Sequence, residues 1–127
     1  MSEITRILTV TVAVADQEEA LAWYTEKLGF EKRLDREGPG FRWLTVGPKG
    51  QADLEVLLAS WFPDRIGKSA MWVLETPDCR ALCEDLRRRG VTIIEEPTEG
   101  AHRVEAVIED LYGNQYELVE RRTHPSP

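Results

Sequence analysis

The sequence predicts an α+β fold built from two copies of one βαβββ unit, on three observations. Two amphipathic stretches carry helix boundaries, each follows one extended run and precedes three more, and residues of the first half recur in the second at a near-constant offset. Moving Ala20-Leu21 and Gly29 forward by 61 reaches Ala81-Leu82 and Gly90, and moving Leu54-Glu55 forward by 62 reaches Tyr116-Glu117. A chain of 127 residues then reads as one domain, with a first unit over about 5–60, a second over about 69–121 and a tail over 122–127.

The elements follow in order. Leu8 to Val14 alternates Thr9, Thr11 and Ala13 on one face with Val10, Val12 and Val14 on the other, the pattern of a half-buried strand. "DQEEALAWYTEKLG" opens on Asp16 with Glu19 three residues on, an acidic capping box, and stops at Gly29; Ala20, Trp23, Tyr24 and Leu28 form its apolar stripe. Extended runs come next over Glu31 to Asp35, Phe41 to Val46 and Asp53 to Ala59, separated by Gly38-Pro39-Gly40 and Pro48-Lys49-Gly50 as turns. The second copy begins with Ala70 to Glu75. Its helix "PDCRALCEDLRRRG" has Asp78 as cap and Gly90 as stop, and Thr92 to Glu95, Arg103 to Glu109 and Gln115 to Glu120 complete it, the last two joined at Gly113-Asn114.

Composition narrows the function. Apolar residues make up 42% and charged residues 31%, as in an ordinary globular chain, and a net charge of -7 argues against a nucleic-acid partner, whose phosphates require clustered cations. Arg87-Arg88-Arg89 closes a helix, where cations favour the negative end of the dipole. "MSEITRILTV" offers neither a signal-peptide apolar core nor a membrane span, so a cytoplasmic protein with no membrane partner is expected. Cys79 and Cys83 share a helical stripe with Leu82 and Leu86 and lack a paired Cys or His motif, which makes them buried apolar thiols.

Glu55 and Glu117 stand at equivalent positions near the middle of two strands, where a buried charge is costly unless it is paired or used. A matched pair of such carboxylates points to a shared site. The bland alternatives are an ion pair with Arg6, Arg42 or Arg103, or a shared hydrogen bond left from a lost site.

"VAVADQEEALAWYTEKLGF", "LETPDCRALCEDLRRRGV" and "EDLYGNQYELVE" together resemble the vicinal oxygen chelate superfamily, which includes glyoxalase I, bleomycin-resistance proteins, fosfomycin-resistance enzymes and extradiol dioxygenases. The resemblance runs from Ile7 to about Glu120. It implies paired βαβββ modules whose curved mixed sheet wraps a cavity, and commonly a homodimer. Metal-dependent members take ligands from the first and last strands of each module. On this sequence the last-strand positions are Glu55 and Glu117, whereas the first-strand positions fall on Thr9 and on Ala70, or on Met71 with a one-residue slip. None of these three replaces an imidazole: a Thr hydroxyl ligates weakly, Ala has no donor and Met prefers soft ions. The expectation is no resident cofactor, the alternative being a hydrated divalent ion on Glu55 and Glu117.

Strand parity suggests the cavity wall. With Thr9, Glu55 and Glu117 inward, Thr11, Ala13, Leu57 and Val119 follow, and repeat symmetry adds Ala70, Trp72 and Leu74; Phe41, Trp43 and Thr45 share a face placed inward. Two Trp and two acids suit a flat or apolar small molecule with a cationic or donor group. Trp61 and Phe62, in the loop between the units, are expected in a lid or a dimer contact. His102 precedes a strand and is either exposed or at the pocket mouth, and His124 has no role in a tail expected to be disordered. Two functions follow: a protein that binds a small organic molecule without turnover, or a metal-dependent lyase, isomerase or dioxygenase with Glu55 and Glu117 as ligands or bases.

Overall fold

A computed structural model describes residues 2–68 and 70–122; His124 and the expectation for the tail lie outside that range. The chain forms two compact units, Met1–Ser69 and Ala70–Pro127. In the first, β1 (Thr9–Ala13), α1 (Gln17–Glu26), β2 (Glu31–Gly38), β3 (Phe41–Gly47) and β4 (Glu55–Ala59) follow in turn, and the second repeats them as β5 (Val73–Glu75), α2 (Cys79–Arg88), β6 (Thr92–Glu99), β7 (Arg103–Glu109) and β8 (Gln115–Arg121). The sheets are ordered β1-β4-β3-β2 and β5-β8-β7-β6, with the first pair in each parallel and the others antiparallel. The α+β repeat expected from sequence is the fold.

Both helices start as their sequences require. The Asp16 carboxylate accepts the Glu19 N–H at 2.9 Å, and that of Asp78 accepts the Ala81 N–H at 3.0 Å, so each first turn has one of its free donors satisfied. Past the ends, Gly29 and Gly90 adopt positive φ and let Phe30 and Val91 close back onto Tyr24 and Leu86. In the first unit α1 lies against β2, β3 and β4; Ala20 and Tyr24 are buried with Val12, Val14, Leu44, Val46, Val56 and Leu58. In the second, α2 lies against β6, β7 and β8, and Cys79, Cys83 and Leu86 are buried with Val104, Ile108, Tyr116 and Leu118. Burial pushes the Cys83 thiol up to about 11, as suits a core thiol with no reactive role.

The loops between the last two strands are braced differently. In the first unit Arg33 reaches across, its guanidinium donating to the carbonyls of Leu54 and Pro48 at 2.5 Å each. A Cβ on Gly47 would sit 2.4 Å from that guanidinium, so only glycine admits the brace. In the second unit the buried Asp110 carboxylate accepts from the Tyr112 and Asn114 amides, from the Asn114 side chain at 2.9 Å and from the Tyr116 hydroxyl at 3.4 Å. "EDLYGNQYELVE" is thus held at its turn by Asp110.

The strand expected from Ala70 is shorter than its sequence suggested. It begins at Val73, although the Trp72 carbonyl still accepts the Glu117 N–H at 3.0 Å.

Candidate ligand-binding site

Register fixes which side chains share a face. In the first unit Thr9 stands opposite Glu55, Thr11 opposite Leu57, and Leu57 opposite Thr45 on its other side. Directly paired residues point the same way, so Thr9, Thr11, Glu55, Leu57 and Thr45 form one face. Trp43 and Phe41 extend it along β3, two and four residues back from Thr45. The helix-distal face anticipated for this unit is present as a set.

Glu55 is held by a buried hydroxyl. Thr45 Oγ1 has no solvent exposure, accepts the Leu34 N–H at 3.1 Å and lies 2.7 Å from Glu55 Oε1. Because Leu34 occupies a lone pair, the hydroxyl proton is directed at the carboxylate, which fixes Oε1 as an acceptor. The β2–β3 register shifts between Lys32 and Asp35, and this irregularity turns the Leu34 amide onto Thr45 rather than along the ladder. None of Arg6, Arg42 and Arg103 pairs with Glu55: Arg42 grips Asp35 through two 2.8 Å bonds and Glu18 at 2.6 Å. That guanidinium draws the Asp35 carboxyl down to about 2.

Two hollows open in this unit. One, about 310 Å³, is lined by Leu34, Arg36, Glu37, Gly38, Phe41 and Trp43. The other, about 450 Å³, is lined by Thr11, Ala13, Phe62, Arg65 and Lys68. Trp61 stands edge-on to Phe41 at 6.2 Å and tilted against Phe62 at 6.0 Å, so an aromatic run connects the residues that line the two hollows. The Trp61-Phe62 loop therefore packs on its own unit, with Phe62 lining a hollow. β3 and β4 share only the pairs Thr45↔Leu57 and Val46↔Val56; beyond them the Gln17 side chain donates to the carbonyls of Arg42 at 2.8 Å and Leu58 at 2.7 Å. A helix side chain thus satisfies backbone groups that strand pairing leaves open.

The second unit is arranged otherwise. Val73, not Ala70, Trp72 or Leu74, stands opposite Glu117, and Leu74 stands opposite Leu118 on the core face. Trp72 stacks on the buried Tyr116 ring, centroids 4.9 Å apart and planes 13° from parallel. Repeat symmetry put Ala70 where Val73 stands, an odd slip of three residues, and alternation then carries every side chain to the opposite face. Glu117 Oε1 accepts from Arg103 at 2.8 Å, and Arg103 also donates to Glu105 at 2.5 Å. The ion-pair alternative is realised for Glu117. His102 is exposed, and its carbonyl accepts the Arg122 amide at 2.8 Å.

A metal ion does not fit these residues. Opposite Glu55 stands Thr9 and opposite Glu117 stands Val73, while one oxygen of each carboxylate is already engaged. Among the described residues no three His, Cys, Asp or Glu side chains cluster to hold an ion.

The family model described as glyoxalase/bleomycin resistance protein/dioxygenase superfamily matches residues 6–118. The chain belongs to that superfamily. UcmS2, a solved structure, is 39% identical with a TM-score of 0.84, covering 93% of this chain and 99% of its own. TnmS3 from Streptomyces sp. CB03234, an antibiotic binding protein, is 33% identical with a TM-score of 0.78 over 93% of this chain and 97% of its own. The lactoylglutathione lyase of Salmonella typhimurium is 24% identical over 126 residues, 92% of this chain and 93% of that enzyme. Superfamily members thus include both a binder and an enzyme, and the choice rests on the site.

Arg65, Lys68, Leu34 and Arg36 line the hollows without having been expected there, and Phe62, expected in a lid or a dimer contact, lines one of them. The signal for three of them was in "WFPDRIGK", where two cations follow an aromatic pair in a loop.

Proposed function

We propose that this protein binds a small aromatic molecule of antibiotic type on the helix-distal face of its first unit and releases it unchanged. The observation that carries the reading is the pairing of two hollows walled by Trp43, Phe41 and Phe62 with a donor set that suits no metal. The smaller hollow has the mostly apolar wall that small-molecule sites use, the larger adds placed polar groups, and 310 and 450 Å³ fall in their usual size range. Likeness to an antibiotic binding protein at 33% identity supports the same reading. Thr11 and Trp43, which line the hollows, are the contact residues proposed here, with Thr9, Leu57 and Glu55 on the same sheet face but outside both linings. Glu55, with Oε1 fixed by Thr45, presents its second oxygen as a hydrogen-bond acceptor.

Met71 and Val73, 88% and 62% exposed beside Glu117, supply apolar surface for a homodimer, which light scattering would detect as twice the chain mass. Ala70, Trp72 and Glu117 are not assigned to the binding face. The test of the main reading is a screen of doxorubicin, tetracycline and bleomycin by quenching of tryptophan fluorescence on chelator-stripped protein, with chromatography of the recovered compound. Saturable quenching with compound recovered intact supports it. Conversion that requires added metal would favour the alternative, a lyase or dioxygenase with Glu55 and Glu117 as ligands.

A further inference from the structure

The larger hollow carries a charge opposite to the one its sequence suggested. Among the described residues its lining is Thr11, Ala13, Phe62, Arg65 and Lys68: two cations, one hydroxyl, one ring and no carboxylate. The chain as a whole is acidic, at net -7, and its arginines are largely matched with acids: Arg42, Arg80, Arg87, Arg88, Arg103, Arg121 and Arg122 all lie in ion pairs. Among the described residues, no ion pair takes in Arg65 or Lys68, although Asp64 is the immediate neighbour of Arg65 in the chain. The Arg65 guanidinium instead lies over the Phe62 ring, 5.4 Å from its centroid, which limits the directions in which it presents its donors. The short 3-10 turn Pro63–Arg65 and the Lys68 amide, bonded to the Arg65 carbonyl at 3.0 Å, fix the backbone between the two cations. Glu55 shares the sheet face but does not line this hollow, and Thr45 occupies one of its oxygens.

We propose that the hollow takes a flat ring bearing an anionic oxygen, such as an aromatic carboxylate or an ionised phenol, with the ring against Phe62 and the oxygen on Arg65 and Lys68. This rests on the binding function proposed above and names its ligand class. A guanidinium donates to a carboxylate in a paired geometry, and Lys68 adds a second point charge. Thr11 contributes a hydroxyl at the strand side of the same hollow. A ligand with a cationic head would meet two like charges there.

Calorimetry with 2-naphthoate, 2-naphthalenemethanol and 2-naphthalenemethylamine tests the charge while holding the ring constant. Naphthoate is expected to bind at least about tenfold tighter than the alcohol, the smallest effect of a hydrogen bond to a charged group. The amine is expected to bind weakest, and added salt to weaken naphthoate alone. Arg65→Gln with Lys68→Gln should reduce naphthoate to the affinity of the alcohol, while Lys49→Gln, an exposed cation in the β3–β4 turn, should leave it unchanged. Because Arg65 and Lys68 are exposed, the double variant is expected to unfold at the same urea concentration as the parent. Equal binding of all three compounds, tighter binding of the amine, or unchanged naphthoate affinity in the double variant would overturn the anionic ligand class and leave the binding function standing. If none of the three binds, both the ligand class and the binding function fall.

Discussion

The two units are copies of one plan, and their equivalent strands show how far the copies have diverged. Leu57 and Val119 are equivalent, and their partners across the antiparallel pair are Thr45 in the first unit and Glu105 in the second. Two residues back along those strands stand Trp43 and Arg103. A ring and a hydroxyl in one copy are therefore an arginine and a glutamate in the other. Glu55 accepts a hydrogen bond from a buried hydroxyl, whereas Glu117 sits in a half-exposed ion pair. The ladders differ too: β7 and β8 pair continuously from Arg103↔Arg121 to Glu109↔Gln115, while β3 and β4 hold two pairs. One copy carries rings and a hydroxyl-held carboxylate on this face, and the other carries an arginine and two glutamates in ion pairs at the equivalent positions.

The largest effect expected from breaking this contrast is at the turn of the second unit. Asp110→Ala removes the acceptor of two amides, a side-chain amide and a hydroxyl at once, in a buried place. A loss of about 3 kcal/mol or more in urea unfolding is expected, since bonds to a charged group contribute about 1.5–3 kcal/mol and several are lost together. Next comes Thr45→Val, which keeps the shape but leaves the Leu34 amide and Glu55 Oε1 without their partner. It is expected to cost about 1–3 kcal/mol and to weaken aromatic ligands, because Glu55 is freed to rotate. Glu105→Gln, at the equivalent position, should cost under about 0.5 kcal/mol, as surface pairs do.

Acid should act on the first unit through Asp35. Arg42 holds that carboxyl at about 2 from 3.8, a depressed value, so the pair's contribution is present above pH 3.8 and is lost as pH falls through about 2. Arg42→Gln should flatten stability against pH in that window, a slope that urea melts at several pH values would measure. The smallest effect is Glu117→Gln, expected to leave ligand affinity unchanged and to shift stability by less than about 0.5 kcal/mol. A large loss of binding in that variant would erase the distinction between the two copies.

Much of this was legible in the residues. Asp16 and Asp78, Gly29 and Gly90, and the offsets of 61 and 62 set two helices and eight strands in order, because caps and alternation are local chemistry. Parity alone gathered Thr9, Thr11, Glu55 and Leu57 on one face, since β1 and β4 pair without irregularity. The second unit failed at Trp72 for a physical reason. Thr9 lies 11 residues before Ala20, whereas its counterpart Val73 lies 8 before Ala81, so the second copy is three residues shorter between strand and helix and an offset of 61 taken from the helices lands on the wrong parity. The Thr45 to Glu55 bond was equally hidden, because it depends on a register shift in β2 that no periodicity announces. Arg65 and Lys68 lie in a loop, where sequence gives composition but not direction.

Binding is proposed to belong to the first copy. The most direct measurement is an amide and indole NMR titration of the full chain with 2-naphthoate. Shifts are expected at Thr11, Trp43, Leu57, Phe62 and Arg65, with Val73 and the stretch from Arg103 to Arg121 nearly silent. Shifts concentrated at Val73, Arg103 and Glu117, with the first set silent, would contradict it.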